Sequence, residues 1–183
     1  MYALKARLGL IYVVWRCIVR SADEWFEAYG ESHQNVVNKK IHWICVPVIF
    51  TTLVALLWNI QFPIEIEGTI NMVPLSEFAN LGIGLLVFAL IYYAVISVSL
   101  AIGMLLVALL SIGGVFVLKS LAASVSLSLL QISLAVFILA WIGQFVGHKI
   151  EGKKPSFLED LQFLMIGPLW LLGFIYRRLG IRY

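Results

Sequence analysis

The feature that most constrains this chain is a long central stretch with almost no charge. Between Trp43 and Gly147, cysteines and tyrosines aside, the ionisable residues are Glu65, Glu67, Glu77 and Lys119. Charged side chains are costly inside a bilayer, so this segregation is what membrane insertion requires. The whole chain is 62% hydrophobic and 13% charged, whereas soluble domains carry about 25% charged residues. The sequence therefore predicts an all-α, polytopic integral membrane helical bundle.

The apolar segments predict four membrane spans, because a spanning helix needs about 20 apolar residues. Residues 43–60 form the first span. Residues 80–118 would be roughly 58 Å long as one helix, nearly twice the ~30 Å hydrocarbon core. They are therefore predicted to form two spans with a turn within residues 97–103. Lys119 and Ser120 are predicted to mark the next turn, and residues 121–147 form the fourth span.

Residues 161–176 are apolar but short for a span, so they are predicted to be re-entrant, interfacial or packed against the other helices. Basic residues indicate the orientation, since they collect on the cytoplasmic side of a membrane. They flank the spans and are missing from residues 61–79. The N-terminus, the segment after the fourth span and the C-terminus are therefore predicted to face the cytoplasm. The basic residues concerned are Lys5, Arg7, Arg16, Arg20, Lys39, Lys40, Lys149, Lys153, Lys154, Arg177, Arg178 and Arg182.

A single membrane domain is predicted for residues 1–183. Residues 1–42 would hold interfacial helices, residues 43–147 the four spans, and residues 148–183 a short apolar helix. Apolar side chains recur at helical spacing near the N-terminus, which predicts an interfacial amphipathic helix. They are Leu4, Leu8, Ile11, Trp15 and Ile18.

A second interfacial helix is predicted to begin after residue 20. Ser21 and Glu24 fit a capping box at its start, and Gly30 is its predicted C-cap. Cys17 and Cys45 lie in apolar surroundings, so they are predicted to be buried thiols and not a disulfide or a metal-binding pair.

The three histidines of the chain all flank the spans. His33 and His42 precede the first span, and His148 follows the fourth. Four crossings separate His42 from His148, and an even number of crossings returns the chain to the same face of the membrane. The span count therefore permits one site that all three histidines share.

Polar residues accompany the histidines at helical spacing. His33 and His42 would lie on opposite sides of a continuous helix, so the chain must turn between them, or an ion must sit off the helix end, for both to meet it. The polar residues that share a helix face with His42 or with His148 are Asn35, Asn38, Gln144 and Glu151.

The spacing alone leaves two interpretations open. Imidazole nitrogens gathered at a membrane edge indicate a metal such as iron or zinc. Interfacial histidines that cap helix ends and bind lipid phosphate are the commoner arrangement. Asn35 and Asn38 also fit helix caps, and Glu151 fits a surface pair with Lys154. HExxH, GxSxG and phosphate-loop motifs are missing, and no run of basic residues indicates nucleic-acid binding.

Two segments in this order carry a family resemblance. Residues 33–47 read HQNVVNKKIHWICVP, and residues 141–148 read WIGQFVGH, followed by Glu151, Pro155 and Pro168. With four predicted spans between them, they resemble the H-x-N-x-x-N-x-x-I-H and W-x-x-Q-F-x-G-H motifs of membrane-embedded 2-hydroxy fatty acid dioxygenases. The resemblance covers nearly the whole chain.

The resemblance implies an iron(II)-dependent enzyme that uses O2 to shorten a 2-hydroxy fatty acid by one carbon, as in fatty acid α-oxidation. In eukaryotic members this reaction serves the breakdown of a sphingoid base in the endoplasmic reticulum. Carried over by position, His33, His42 and His148 would be the catalytic metal ligands. Three neutral imidazoles would leave positions for O2 and for the carboxylate and hydroxyl of the substrate.

This sequence departs from the family in two respects. A further histidine that some members carry is missing, and the spacing from His148 to Pro155 is about one residue shorter. These departures point either to a different substrate or to coordination completed by water or by one of Glu151, Asn35 and Asn38. Basic residues that would attract the substrate carboxylate, if they serve more than topology, are Lys39, Lys40, Lys149 and Lys153.

Other functions compatible with the sequence are a non-catalytic lipid-binding or scaffold protein and a zinc-dependent membrane hydrolase. A transporter is disfavoured, because the spans carry no central ionisable residue and show no inverted repeat. The membrane would be the inner membrane of a bacterium or the endoplasmic reticulum of a eukaryote, with the histidines on the cytoplasmic side.

Overall fold

The computed structural model describes residues 20–152 and 157–183, but not the side chains of residues 157–163. This part of the chain is mostly helical, with one small hairpin in the loop between the first long helix and the next. The predicted all-α membrane bundle is confirmed. The elements are α1 (Ala22–Glu31), α2 (Val36–Trp58), β1 (Thr69–Ile70), β2 (Val73–Pro74), α3 (Leu81–Ile96), α4 (Val98–Ser124), α5 (Leu129–Glu151) and α6 (Phe157–Leu179).

Three of the described helices are long and apolar enough to cross a membrane. They are α2, α4 and α5, with mean hydropathies of 2.0, 2.6 and 2.1. Helix α3 has 16 residues and is therefore about 24 Å long, somewhat less than the ~30 Å hydrocarbon core. The four predicted spans thus correspond to three helices of full length and one shorter apolar helix.

The predicted turn between the second and third apolar segments lies at Ser97. This single residue ends α3 and begins α4: its N–H donates to the Tyr93 carbonyl at 2.8 Å, and its Oγ accepts from the Leu100 N–H at 3.3 Å. Both helix ends are capped by one residue. The chain reverses there, so that Tyr93 packs in one cluster with Leu100, and Leu86 packs in another with Val115.

The turn predicted at Lys119 and Ser120 is wrong, because α4 continues to Ser124 before the chain reverses. Lys119 is tolerated within the helix since its ammonium pairs with the Glu77 carboxylate and lies 5.9 Å from the centroid of the Trp58 ring. These contacts compensate the charge at the end of the bundle opposite to the histidines.

Helix α1 begins with the predicted capping box. Ser21 Oγ accepts from the Glu24 N–H at 3.3 Å, and the Glu24 carboxylate accepts from the Ser21 N–H at 2.6 Å. The amphipathic helix predicted around residues 4–18 and the thiol of Cys17 lie outside the described residues.

The prediction that Gly30 is the C-cap of α1 is wrong. The helix continues to Glu31, and Ser32 is the C-cap. The Gly30 carbonyl accepts the His33 N–H at 3.0 Å, which closes the helix end without the left-handed conformation that favours glycine.

Helices α2 and α5 run antiparallel in close contact because α5 presents glycines to α2. A Cβ atom on Gly143 would lie 2.7 Å from the Sγ of Cys45, and a Cβ atom on Gly147 would lie 2.3 Å from the Oδ1 of Asn38. Small residues are the usual means by which membrane helices approach closely. Cys45 is partly buried in this contact, and its thiol is free.

The C-terminal helix α6 is longer than predicted and continues through Pro168. Of the three predicted placements, the structure shows packing against the other helices. Gly167 packs against α1 so closely that an added Cβ atom would lie 3.2 Å from the Tyr29 hydroxyl. The Tyr176 hydroxyl donates to the Ser99 carbonyl at 2.8 Å. Tyr29 lies near the end of α1, just before His33, and Ser99 lies just after the turn between α3 and α4. Helix α6 therefore covers the histidine end of the bundle.

Replacing Gly82 by alanine should destabilise the contact between α2 and α3, whereas replacing Gly84 should not. A Cβ atom on Gly82 would lie 2.6 Å from the Val54 carbonyl oxygen, and backbone cannot move aside. At Gly84 the nearest atom is 3.9 Å away. We expect Gly82→Ala to cost about 1–3 kcal/mol, measured as a lower melting temperature in detergent. Equal melting temperatures for the two variants would contradict this packing.

Candidate metal centre

The structure brings the three histidines together at one end of the bundle. His33 lies in the loop after α1, His42 in the second turn of α2 and His148 in the last turn of α5. The four helices α2 to α5 carry the chain from His42 to His148 and end where they began. One ring nitrogen of each histidine lies within 4.8 Å of the others, and the group has the composition of a metal site.

A turn between α1 and α2 allows His33 and His42 to meet. Helix α2 begins at Val36 with Asn35 as its N-cap, whose Oδ1 accepts from the Val37 N–H at 2.8 Å. The His33 imidazole therefore approaches from the loop and the His42 imidazole from α2, which is the first of the two arrangements that the sequence allowed for a shared ion. Asn35 has the capping role that was one of its two predicted alternatives.

Backbone carbonyls fix the tautomers of the two buried histidines. Nδ1 of His33 lies 2.6 Å from the Tyr29 carbonyl oxygen, and Nδ1 of His42 lies 2.9 Å from the Asn38 carbonyl oxygen. A carbonyl only accepts, so each Nδ1 carries a proton and donates. In a neutral imidazole the other nitrogen, Nε2, then presents a lone pair. Metal-binding histidines are oriented in this way in proteins.

The two Nε2 atoms face each other at 2.9 Å. Two lone pairs at this distance repel unless a cation or a shared proton lies between them, and the burial of His33 works against the proton. Burial, followed by the nearby His42, lowers the pKa of His33 to about 3. Imidazole nitrogens with free lone pairs are ligands that divalent iron and zinc accept. The donor set therefore fits a divalent metal ion.

His148 completes the cluster from the opposite helix. Its ring centroid lies 5.1 Å from that of His33 and 5.0 Å from that of His42. Gln144, one turn earlier on α5, is buried and lies close to His42. Gln144 thus lies beside the histidines, as its spacing predicts.

The side chains of Glu151 and Asn38 are hydrogen-bonded to each other. The Glu151 carboxylate accepts from the Asn38 Nδ2 at 3.0 Å and from the backbone N–H groups of Gln34 and Asn35 at 2.7 and 2.9 Å. Within the described residues, the group that could hold a metal ion contains the three histidines and no carboxylate. The structure therefore gives Glu151 and the two asparagines contacts other than the metal coordination considered for them.

Aromatic rings form one wall of the cluster. The Tyr29 ring stacks on His33 with centroids 4.1 Å apart and planes at 5°, and Trp170 of α6 lies 5.3 Å from His33. Both aromatic side chains are buried. Neither ring is among the site residues that the sequence predicts. The one signal was that Tyr29 precedes His33 by four residues at a helix end.

Three of the four lysines considered for carboxylate attraction lie at the same end of the bundle as the histidines. Lys40 and Lys149 are exposed, Lys39 is half-buried, and Lys153 lies outside the described residues. Their positions fit the flanks of the apolar helices, which is the ordinary place for basic residues in membrane proteins.

Comparison with known proteins agrees with the resemblance seen in the two motifs. The sequence model of the family described as 2-hydroxy-palmitic acid dioxygenase Mpo1-like matches residues 19–179. The matched range includes all three histidines and every described helix. No curated protein and no solved structure gives a significant match to the chain.

Proposed function

This chain belongs to the Mpo1-like family, and we propose that it is an iron(II)-dependent dioxygenase that shortens 2-hydroxy fatty acids by one carbon. The observation that supports this most directly is the pair of Nε2 atoms 2.9 Å apart, both held as acceptors by hydrogen bonds at Nδ1. A metal ion bound by both nitrogens would remove the repulsion between their lone pairs. Zinc is the alternative ion, because imidazole ligands suit both metals.

In this proposal His33, His42 and His148 hold the ion. Bound iron(II) would supply electrons to O2 and a centre at which O2 and a 2-hydroxy acid meet. The protein contributes orientation: the carbonyls of Tyr29 and Asn38 keep two imidazoles in the metal-binding tautomer. The rings of Tyr29 and Trp170 cover His33 and exclude water from that side.

The substrate would reach the site from the membrane. The histidines lie at the end of apolar helices, so a fatty acid could keep its carboxylate at the interface and its acyl chain in the hydrocarbon. Exposed Lys40 and Lys149 lie at this end and would favour an anionic headgroup. By the distribution of basic residues this end faces the cytoplasm, in a bacterial inner membrane or in the endoplasmic reticulum.

The test is turnover of a defined substrate. Full-length protein in detergent, loaded anaerobically with Fe(II), should consume O2 with 2-hydroxypalmitate and release a product one carbon shorter, detected by mass spectrometry. Palmitate, which lacks the 2-hydroxyl group, should give no consumption. Metal analysis of protein as purified separates iron from zinc. Protein that holds iron without turnover, or holds no metal, would count against the proposal and favour a lipid-binding role.

A further inference from the structure

Glu151 ends α5 three residues after His148, and its carboxylate reaches across to the opposite side of the cluster. Its Oε1 accepts from the Gln34 N–H at 2.7 Å, and its Oε2 accepts from the Asn35 N–H at 2.9 Å and the Asn38 Nδ2 at 3.0 Å. Hydrogen bonds to an ionised acceptor are roughly twice as strong as neutral ones. Three of them converge here on one side chain.

These donors are placed to control the two buried histidines. Gln34 and Asn35 directly follow His33, which lies in a loop and has no helix of its own to fix it. Loops are in general the more mobile part of a fold. Bonds from Glu151 to this loop therefore join the segment that carries His33 to the helix that carries His148.

Asn38 extends the connection to His42. It is fully buried, its Nδ2 also lies 3.4 Å from the Ser32 carbonyl oxygen, and its own carbonyl accepts from His42 Nδ1. A shift of Asn38 would therefore turn the His42 ring. Through Asn38, Glu151 supports the orientation of the second imidazole.

The charge of Glu151 matters as well. Its carboxylate follows His148 by three residues in α5 and hydrogen-bonds to the two residues after His33, so its negative charge lies beside the cluster. Three neutral imidazoles leave a divalent ion uncompensated, and no carboxylate belongs to the group within the described residues. Glu151 supplies negative charge close to the ion without binding it.

We propose that Glu151 is a positioning residue that pre-assembles the metal centre, by holding the His33 loop and Asn38 against the end of α5 and by balancing the charge of the ion. This inference rests on the proposed function only for the premise that the histidines bind a metal. Glu151 would thus contribute to the metal affinity of the site without coordinating the metal.

The experiment compares Glu151→Gln and Glu151→Asp with Glu65→Gln, an exposed glutamate at the opposite end of the bundle that undergoes the same loss of charge. Co(II) is titrated anaerobically into the full-length metal-free proteins. We expect both Glu151 variants to bind Co(II) about tenfold more weakly than wild type. This is the lower end of the ~10–100-fold that loss of a group bonded directly to a ligand costs, because Glu151 acts through neighbours of the ligands. Glu65→Gln should bind as wild type does. Asp keeps the charge but is one methylene too short to reach all three donors.

Two further measurements separate positioning from general stability. At saturating Co(II), the ligand-field absorption spectrum of both Glu151 variants should shift, because the imidazoles are displaced. The melting temperature of the metal-free protein should fall little. Asn38→Ala, which removes one donor and leaves the carboxylate in place, should weaken Co(II) binding by a smaller factor. It serves as the test if the Glu151 variants do not fold.

Several results would overturn the proposal. The first is that Glu151→Gln binds Co(II) as tightly as wild type. The second is that Glu151→Asp does so, because the charge alone would then explain the effect. The third is a loss of affinity that is no larger than the loss of thermal stability explains. None of these touches the proposed reaction, which is judged by O2 consumption of the wild type. Conversely, a wild type that binds Co(II) but turns over no substrate would defeat the reaction and leave the role of Glu151 standing.

Discussion

Replacing His42 with alanine should abolish both metal binding and turnover. His42 provides one of the two Nε2 atoms that face each other at 2.9 Å, and its Nδ1 is already committed to the Asn38 carbonyl. Two imidazoles would remain, which is too few to hold an ion in competition with water. The loss of Fe(II) or Co(II) affinity should exceed the ~10–100-fold that loss of an outer partner costs. Anaerobic metal titration and O2 consumption measure the two effects.

The same substitution should leave the metal-free protein comparatively stable. Without an ion the two facing lone pairs repel, so removing one of them relieves a cost that partly offsets the lost packing. Val54→Ala is the matched control: Val54 is also fully buried in α2, but it lies far from the cluster. It should lose roughly 2 kcal/mol of stability and keep full metal affinity. If His42→Ala retained the metal, the assigned ligand set would be wrong.

Replacing Gly147 with alanine should disrupt the site without altering any polar side chain. The new Cβ atom would lie 2.3 Å from the Asn38 Oδ1, and Asn38 is fully buried and bonded to Glu151. Either Asn38 or the end of α5 must move, and both carry or orient a histidine. We expect metal affinity to fall by at least about tenfold, as for loss of an outer partner. The melting temperature should also drop, because overpacking costs about 1–3 kcal/mol.

Gly113→Ala is the control for this second substitution. Gly113 lies within α4 and has no atom within 4 Å of an added Cβ atom. Alanine there should be neutral or slightly stabilising, since alanine is the better helix former. Metal titration and thermal melting of both variants would settle the comparison. Unchanged metal binding in Gly147→Ala would show that the contact between Asn38 and Gly147 is not needed for the site.

Two errors of the sequence-based prediction can each be traced to a specific contact. The turn after the third apolar segment was placed at Lys119, because a lone charge usually ends a span. A partner distant in sequence, Glu77, lets the helix continue past it. Gly30 was predicted to end α1 because glycine is common after helices, yet its carbonyl closes the helix end in an ordinary conformation. A contact distant in sequence thus decided the first outcome, and a hydrogen bond between residues three apart decided the second.

The sequence by itself determined the properties that follow from local composition and from the order of the segments. Hydropathy specifies a membrane bundle, the length of residues 80–118 requires a reversal, and an even number of apolar helices returns His148 to the end where His42 begins. These depend on how many residues reach across a bilayer and not on how side chains pack. The family motifs added which residues would form the site.

Only the tertiary structure decided how those residues act on one another. The long central stretch with almost no charge predicts that the helices lie in a membrane. It does not predict that Gly143 and Gly147 allow α5 to contact α2. That contact brings His148 and the hydrogen bonds of Glu151 to the His33–His42 pair, because such bonds depend on tenths of an ångström and on residues far apart in the chain. The cover formed by α6 and Trp170 depends on packing in the same way.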